Sequence, residues 1–147
     1  YDVSGHTIGH IAVHFAKQDI VFTADSLMAL GCGRLFEGSA ELMWSSLSKL
    51  RALPDTTTVC SGHEYTLANA RFAVTVDPDN PALQDRITRI EEARASGTPT
   101  IPSNLGEEKQ TNPFLRPDDP KIRKHLGMPA ATDAEVFGEI RSRKDNF

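Results

Sequence analysis

Several things are scarce in this chain, and each scarcity removes a class. The 147 residues include only two cysteines, too few for a disulfide framework. That shortage fits a reducing cytoplasm, with mitochondrial or periplasmic residence left open. No apolar run approaches the ~20 residues that span a bilayer. The opening Tyr1-Asp2-Val3-Ser4-Gly5-His6 also lacks the basic and apolar regions of a signal peptide, so no membrane partner is expected. Basic residues are outnumbered, 16 Lys+Arg against 20 Asp+Glu, and a net charge of −4 argues against a nucleic-acid partner. There is no internal repeat and no low-complexity tract. What remains, 39% apolar and 24% charged residues, is the composition of a globular chain of one domain or two small pieces. The start is unusual, because a Gly-His turn and a strand come first, as in the middle of a domain.

Ile11, Val13 and Phe15 alternate with Ala12 and His14, which predicts a half-buried strand, and Ile20-Val21-Phe22-Thr23 predicts a second. Gly31-Cys32-Gly33 reads as an exposed loop. Ser39 caps a helix over about 40–53, with Met43, Leu47 and Leu50 on one face and Pro54 as its stop. The β-branched run Thr56–Cys60 predicts a third strand with Cys60 as a small buried hydrophobe, and a helix follows over about 67–74. Trp44 and Phe72 read as core residues on helices. Asn80 and Pro81 open a helix that carries Leu83, Ile87 and Ile90 and closes near Ser96-Gly97. Residues 98–120, punctuated by Pro and Gly, read as an extended crossing loop. Thr132 and Glu135 form a capping box for a last helix carrying Val136, Phe137 and Ile140. The chain thus divides into a β/α part, 1–76, and a helical part, 77–147.

Three side chains with metal-binding chemistry sit at strand–loop boundaries. His6 and His10 are four apart, but Gly5 and Gly9 oppose a helix that would align them. In a loop, one ring is free to ligate while the other packs behind; the alternative is a buried or turn histidine. Asp25 follows the strand Ile20–Thr23, where α/β folds place functional groups, or it serves as a turn or cap residue. His63 tops the third strand after Gly62, which permits a tight turn. Imidazole and carboxylate together suit zinc, iron or manganese. His14 and His125 lack ligand spacing and read as structural or exposed. Arg141 and Lys144, three apart, share a face of the last helix, where they act either as ligand-facing cations or as a solvated helix end.

Gly5-His6-Thr7-x-Gly9-His10, Phe22-Thr23-Ala24-Asp25-Ser26-Leu27, Gly31-Cys32-Gly33-Arg34-Leu35-Phe36-Glu37-Gly38 and Ser61-Gly62-His63-Glu64-Tyr65-Thr66 occur in this order. Asn112-Pro113-Phe114-Leu115-Arg116 and the terminal Arg141-x-x-Lys144-Asp145-x-Phe147 follow. Together they resemble the metallo-β-lactamase fold and, more narrowly, the hydroxyacylglutathione hydrolase (glyoxalase II) family. The resemblance implies an α/β fold, the second half of an αββα sandwich over 1–76, followed by a small all-α domain over 77–147 that binds glutathione. It implies two divalent metal ions, zinc first and iron or manganese otherwise, with His6 on one, His63 on the other and Asp25 bridging both. A water activated by the pair would attack the thioester of S-(2-hydroxyacyl)glutathione, S-D-lactoylglutathione in methylglyoxal degradation. Arg34, Phe36, Tyr65, Arg141 and Lys144 match positions that face the glutathione moiety. Arg34 stands where the family often has Lys, which exchanges a point donor for a fork, and Phe36 where many members have Tyr, which loses a hydroxyl.

The family's T-H-x-H-x-D-H motif is absent from 1–147, so only part of the expected ligand set is present. The chain is therefore expected to be the C-terminal portion of a longer enzyme, with the N-terminal half of that enzyme as its partner and little activity alone. A missing first sheet should leave an apolar face uncovered. Two other readings stay open: a related glutathione-persulfide dioxygenase with one iron, and a catalytically incomplete fragment that only binds.

Overall fold

The fold is seen in a computed structural model that describes residues 1–147. β1 (Val13–Phe15) and β2 (Ile20–Ala24) form a hairpin, β3 (Leu27–Met28) and β4 (Gly31–Cys32) form a smaller one, and α1 (Ala40–Arg51) leads to β5 (Thr58–Ser61). Then come α2 (Thr66–Val76), α3 (Pro81–Ala95), β6 (Ser103–Asn104), α4 (Leu105–Thr111), a 3-10 turn at Pro113–Leu115, α5 (Pro120–Leu126) and α6 (Asp133–Asp145). The architecture is mixed α/β, a sheet followed by helices. The main sheet has the order β1-β2-β5-β6. β2 and β5 run parallel, which requires a crossover, and α1 lies on that connection.

Alternation decides which face of the sheet is buried. Val21 and Val59 point into the core shared with Met43, Leu47 and Leu50, the predicted stripe of α1. α6 packs along α1, so Val136, Phe137 and Ile140 join that same core with Phe72 and Phe114. The core therefore runs through both the 1–76 and the 77–147 stretches. On the other face Val13, Phe15 and Phe22 are each about half exposed, and Phe15 meets Phe22 edge-on at 5.9 Å. An apolar strip of β1 and β2 is thus bare, as expected for an uncovered sheet.

Helix starts follow the predicted caps. Ser39 accepts Leu42 N–H, Asn80 accepts from Ala82 and Leu83, and Thr132 with Glu135 closes the capping box. Asn80 also donates to Asp77 and to the Gln110 carbonyl. Replacing Asn80 by alanine should lower stability by at least about 1 kcal/mol, a fall in Tm of about 2–4 °C in a thermal melt.

Two expectations fail. Residues 98–120 are not an extended loop: they contain β6, α4 and the 3-10 turn. Hydrophobic periodicity missed α4 because its inner face is polar, with Glu108 and Thr111 buried. Glu108 accepts from Arg86 at 2.5 Å, from the Leu30 N–H at 2.9 Å and from Asn112 at 3.2 Å. Asn112 in turn donates to the carbonyls of Met28 and Gly31, both at 3.1 Å. This network bolts the β3–β4 hairpin to α3 and α4. The second failure is Gly31-Cys32-Gly33, whose first two residues form β4 in the interior.

Candidate functional site

Asp25 is presented by the turn that ends β2. Ser26 N–H donates to Thr23 O at 3.0 Å. Ala24 between them has φ +45°, a left-handed conformation that costs a non-glycine residue about 1–2 kcal/mol. Two bonds from outside hold it: Gly62 N–H donates to Ala24 O at 2.9 Å, and Asp25 N–H donates to His10 Nε2 at 3.3 Å. Two glycines make room. A Cβ on Gly62 would stand 2.6 Å from Asp25 Oδ1, and one on Gly33 would stand 2.3 Å from Asp25 O and 2.7 Å from His6 Nδ1.

Around this turn the structure brings together the three side chains singled out at strand ends. His63 Nε2 lies 3.2 Å from Asp25 Oδ1, and His6 Nε2 lies 3.7 Å from Asp25 Oδ2. His6 Nδ1 is 2.8 Å from the Arg34 carbonyl. A carbonyl only accepts, so the hydrogen-bond pattern assigns the ring proton to Nδ1. Nε2 then turns a lone pair toward a carboxylate oxygen, an arrangement of two donors that suits a cation between them. No three His, Cys, Asp or Glu side chains encircle one ion position. The donors instead form two pairs, His6 with Oδ2 and His63 with Oδ1. Imidazole nitrogen beside carboxylate oxygen is a donor chemistry that suits a divalent cation.

These groups line a cleft of about 590 Å³, together with Arg34, Phe36, Tyr65, Arg141 and Lys144. Tyr65 stacks on His63 at 4.8 Å, and Phe36 lies 5.0 Å from His6. The three cations differ in what they have free. Arg141 is buried; its Nη1 donates to Cys32 O and its Nη2 to Asp145 Oδ1, both at 2.9 Å. Its guanidinium also lies 5.1 Å from the Phe114 ring, so most of this side chain is committed to the fold. Lys144 is half-buried between the rings of Phe72 and Phe147, each 5.2 Å from Nζ. Burial, then Arg141 and Arg34, push its ammonium below the usual lysine value. Arg34 is the most exposed, with its Nε 3.6 Å from Asp145 Oδ1.

Sequence reasoning gave Asp145 no role, yet this carboxylate ties Arg141 and faces Arg34. The i, i+4 spacing of Arg141 and Asp145 on a helix was the available signal. Glu64, next to His63, accepts from the Thr100 N–H at 2.9 Å and from its hydroxyl, which anchors the His63 loop to residues 98–102. His125, apart from the site, has Nε2 3.0 Å from Thr75 O.

Both cysteines depart from expectation. Cys32, read as exposed, is 6% exposed, and burial pushes its thiol up to about 11, with Arg141 pulling the other way. Cys60, read as buried, is half-buried, because β5 turns it to the same side as its register partner Phe22. At pH 8 a disulfide reagent should therefore label one thiol rapidly in the native protein and two after denaturation, with Cys32 the slow one.

The carboxylate on its strained turn is thus faced by one imidazole just past β5 and by another, His6. His6 lies in the turn over residues 4–9 rather than at the strand–loop boundary the sequence suggested. The sequence comparisons name a class. Residues 1–63 match the family model of the metallo-beta-lactamase superfamily. Residues 64–147 match the model described as hydroxyacylglutathione hydrolase C-terminus, and the chain belongs to the hydroxyacylglutathione hydrolase family. Similar relatives carry that name. One from Ruegeria pomeroyi and one from Roseobacter denitrificans are each 66% identical over 146 residues, and one from Rhizobium meliloti is 60% identical over 146. In all three the match covers 99% of this chain and 57% of the relative.

Proposed function

We propose that the protein carrying this chain hydrolyses the thioester of S-(2-hydroxyacyl)glutathione, S-D-lactoylglutathione above all, to glutathione and a 2-hydroxy acid. The observation behind this reading is one carboxylate whose two oxygens meet two separate imidazoles, in a cleft that also presents Arg34 and Lys144. His6 and His63 would each hold one divalent metal and Asp25 would bridge them, with zinc the first choice and iron or manganese the alternatives. Metals held there would supply an activated water and a positive centre for the developing oxyanion. Neutral imidazoles would donate without cancelling that positive charge, and Asp25 would supply the anionic ligand. Arg34 and Lys144 meet the carboxylates of the glutathione moiety, Tyr65 offers a hydroxyl, and Phe36 contributes only an apolar edge.

The remaining ligands, and the sheet that covers Val13, Phe15 and Phe22, come on this proposal from the part of the relatives' length that the chain does not span. Its coverage of 57% and the bare apolar strip support that arrangement. The test is metal stoichiometry and S-D-lactoylglutathione hydrolysis by the full-length protein, beside residues 1–147 alone. Two ions and hydrolysis in the full-length protein, with little activity in the chain alone, are expected. One iron with oxidation of glutathione persulfide would replace this reading with the dioxygenase, and no metal at all would leave a binding piece.

A further inference from the structure

We infer that His10 is a positioning residue for the Asp25 carboxylate, acting through the Asp25 backbone; the inference rests on the reading of Asp25 as a shared ligand. His10 does not line the cleft, so its ring is placed to act on the protein rather than on a substrate. Its Nε2 accepts the Asp25 N–H at 3.3 Å, and an atom that accepts carries no proton. The ring proton then sits on Nδ1, 3.2 Å from Thr7 Oγ1. His10 also meets the His6 ring edge-on at 5.6 Å, and so touches both one proposed ligand and the amide of another.

The loop that carries His10 is well held. Val3 N–H donates to His10 O at 2.9 Å, Gly9 N–H to Ser4 Oγ at 3.0 Å, and the Ser46 hydroxyl to Ser4 O at 2.6 Å. What it holds is strained. Asp25 follows Ala24 at φ +45°, and a turn of that kind persists only while its surroundings over-determine it. His10 is the acceptor of the Asp25 amide, so removing it frees the turn to relax and carries both carboxylate oxygens away from the two imidazoles. The pair Gly5-His6 and Gly9-His10 thus divides its labour: one imidazole faces the carboxylate, and the other pins the backbone that presents it.

The experiment reads amide hydrogen exchange at Asp25 in the metal-free full-length protein, for His10→Asn and His10→Gln beside the unmutated protein. A glutamine carbonyl can reach the position of Nε2; an asparagine carbonyl falls short of it. Exchange should speed about tenfold or more in His10→Asn and return toward the unmutated rate in His10→Gln. In the metal-loaded protein His10→Asn should lower kcat about 10–100-fold with KM nearly unchanged, and His10→Gln should recover much of it. Equal protection of the Asp25 amide in all three proteins would overturn the inference, and so would a glutamine no better than asparagine. An unmutated protein without thioesterase activity would count against the hydrolase reading alone, since the exchange is measured without metal or substrate.

Discussion

Alanine in place of Asp25 is expected to reduce S-D-lactoylglutathione hydrolysis by the full-length protein about 1,000-fold or more. Asp25 is the one residue that both imidazoles face, through Oδ1 at 3.2 Å and Oδ2 at 3.7 Å, so its loss removes a donor from both halves of the site at once. Metal-assisted stabilisation of charge at a transition state amounts to several kcal/mol, and about 4 kcal/mol corresponds to that factor. Bound metal should fall in parallel when measured by elemental analysis of dialysed protein. Asp25→Asn keeps the shape and one acceptor oxygen but loses the charge, and it should lie between alanine and the unmutated protein. The turn is held through the Ala24 carbonyl and the Asp25 amide rather than through the Asp25 carboxylate, so the fold should survive both changes, with a thermal midpoint close to the original. Hydrolysis within about tenfold of the unmutated rate would remove Asp25 from the role assigned to it.

The largest loss of stability is expected from Glu108→Ala, about 3–5 kcal/mol in denaturant unfolding. Glu108 is fully buried and accepts from Arg86, Asn112 and the Leu30 N–H, so alanine leaves a buried guanidinium with only the partly exposed Glu107 as a carboxylate partner and a buried amide N–H without an acceptor. Against a total stability of about 5–15 kcal/mol this is a large fraction. Replacing both partners, Arg86→Met with Glu108→Leu, should be milder than the single change, because the buried cation that loses one of its two carboxylates goes with it, and Glu107 keeps Arg89. Should the double replacement prove worse than Glu108→Ala, the loss would come from packing around α4 rather than from an orphaned charge.

The parts of the fold that were legible in the sequence are those where a local signal and the tertiary packing agree. α1, α3 and α6 each carry a side-chain cap at the start and an apolar stripe behind it, and all three form where expected. α4 escaped because its cap, Asn104, looked like loop punctuation and its inner face is a polar network assembled from α3, α4 and the β3–β4 hairpin. No window of sequence contains that network. His6, Asp25 and His63 could be picked out because each ends a recognisable strand or turn. That His6 faces the carboxylate while His10 sits behind depends on the Arg34 carbonyl, 28 residues further along the chain. The burial of Arg141 was hidden for the same reason, since its acceptor is Cys32.

The interlocking of α1 with α6 bears on how this protein can be inherited. The two family models meet between residues 63 and 64, yet Met43 and Leu47 on one side of that seam share a single core with Val136, Phe137 and Ile140 on the other. Recombination at the seam would hand each descendant half an interior, fitted to a mate it no longer has. The two stretches must therefore drift as one lineage, each volume change in one answered in the other, and chimaeras joined there should be soluble only when both parents carry matching side chains at these positions.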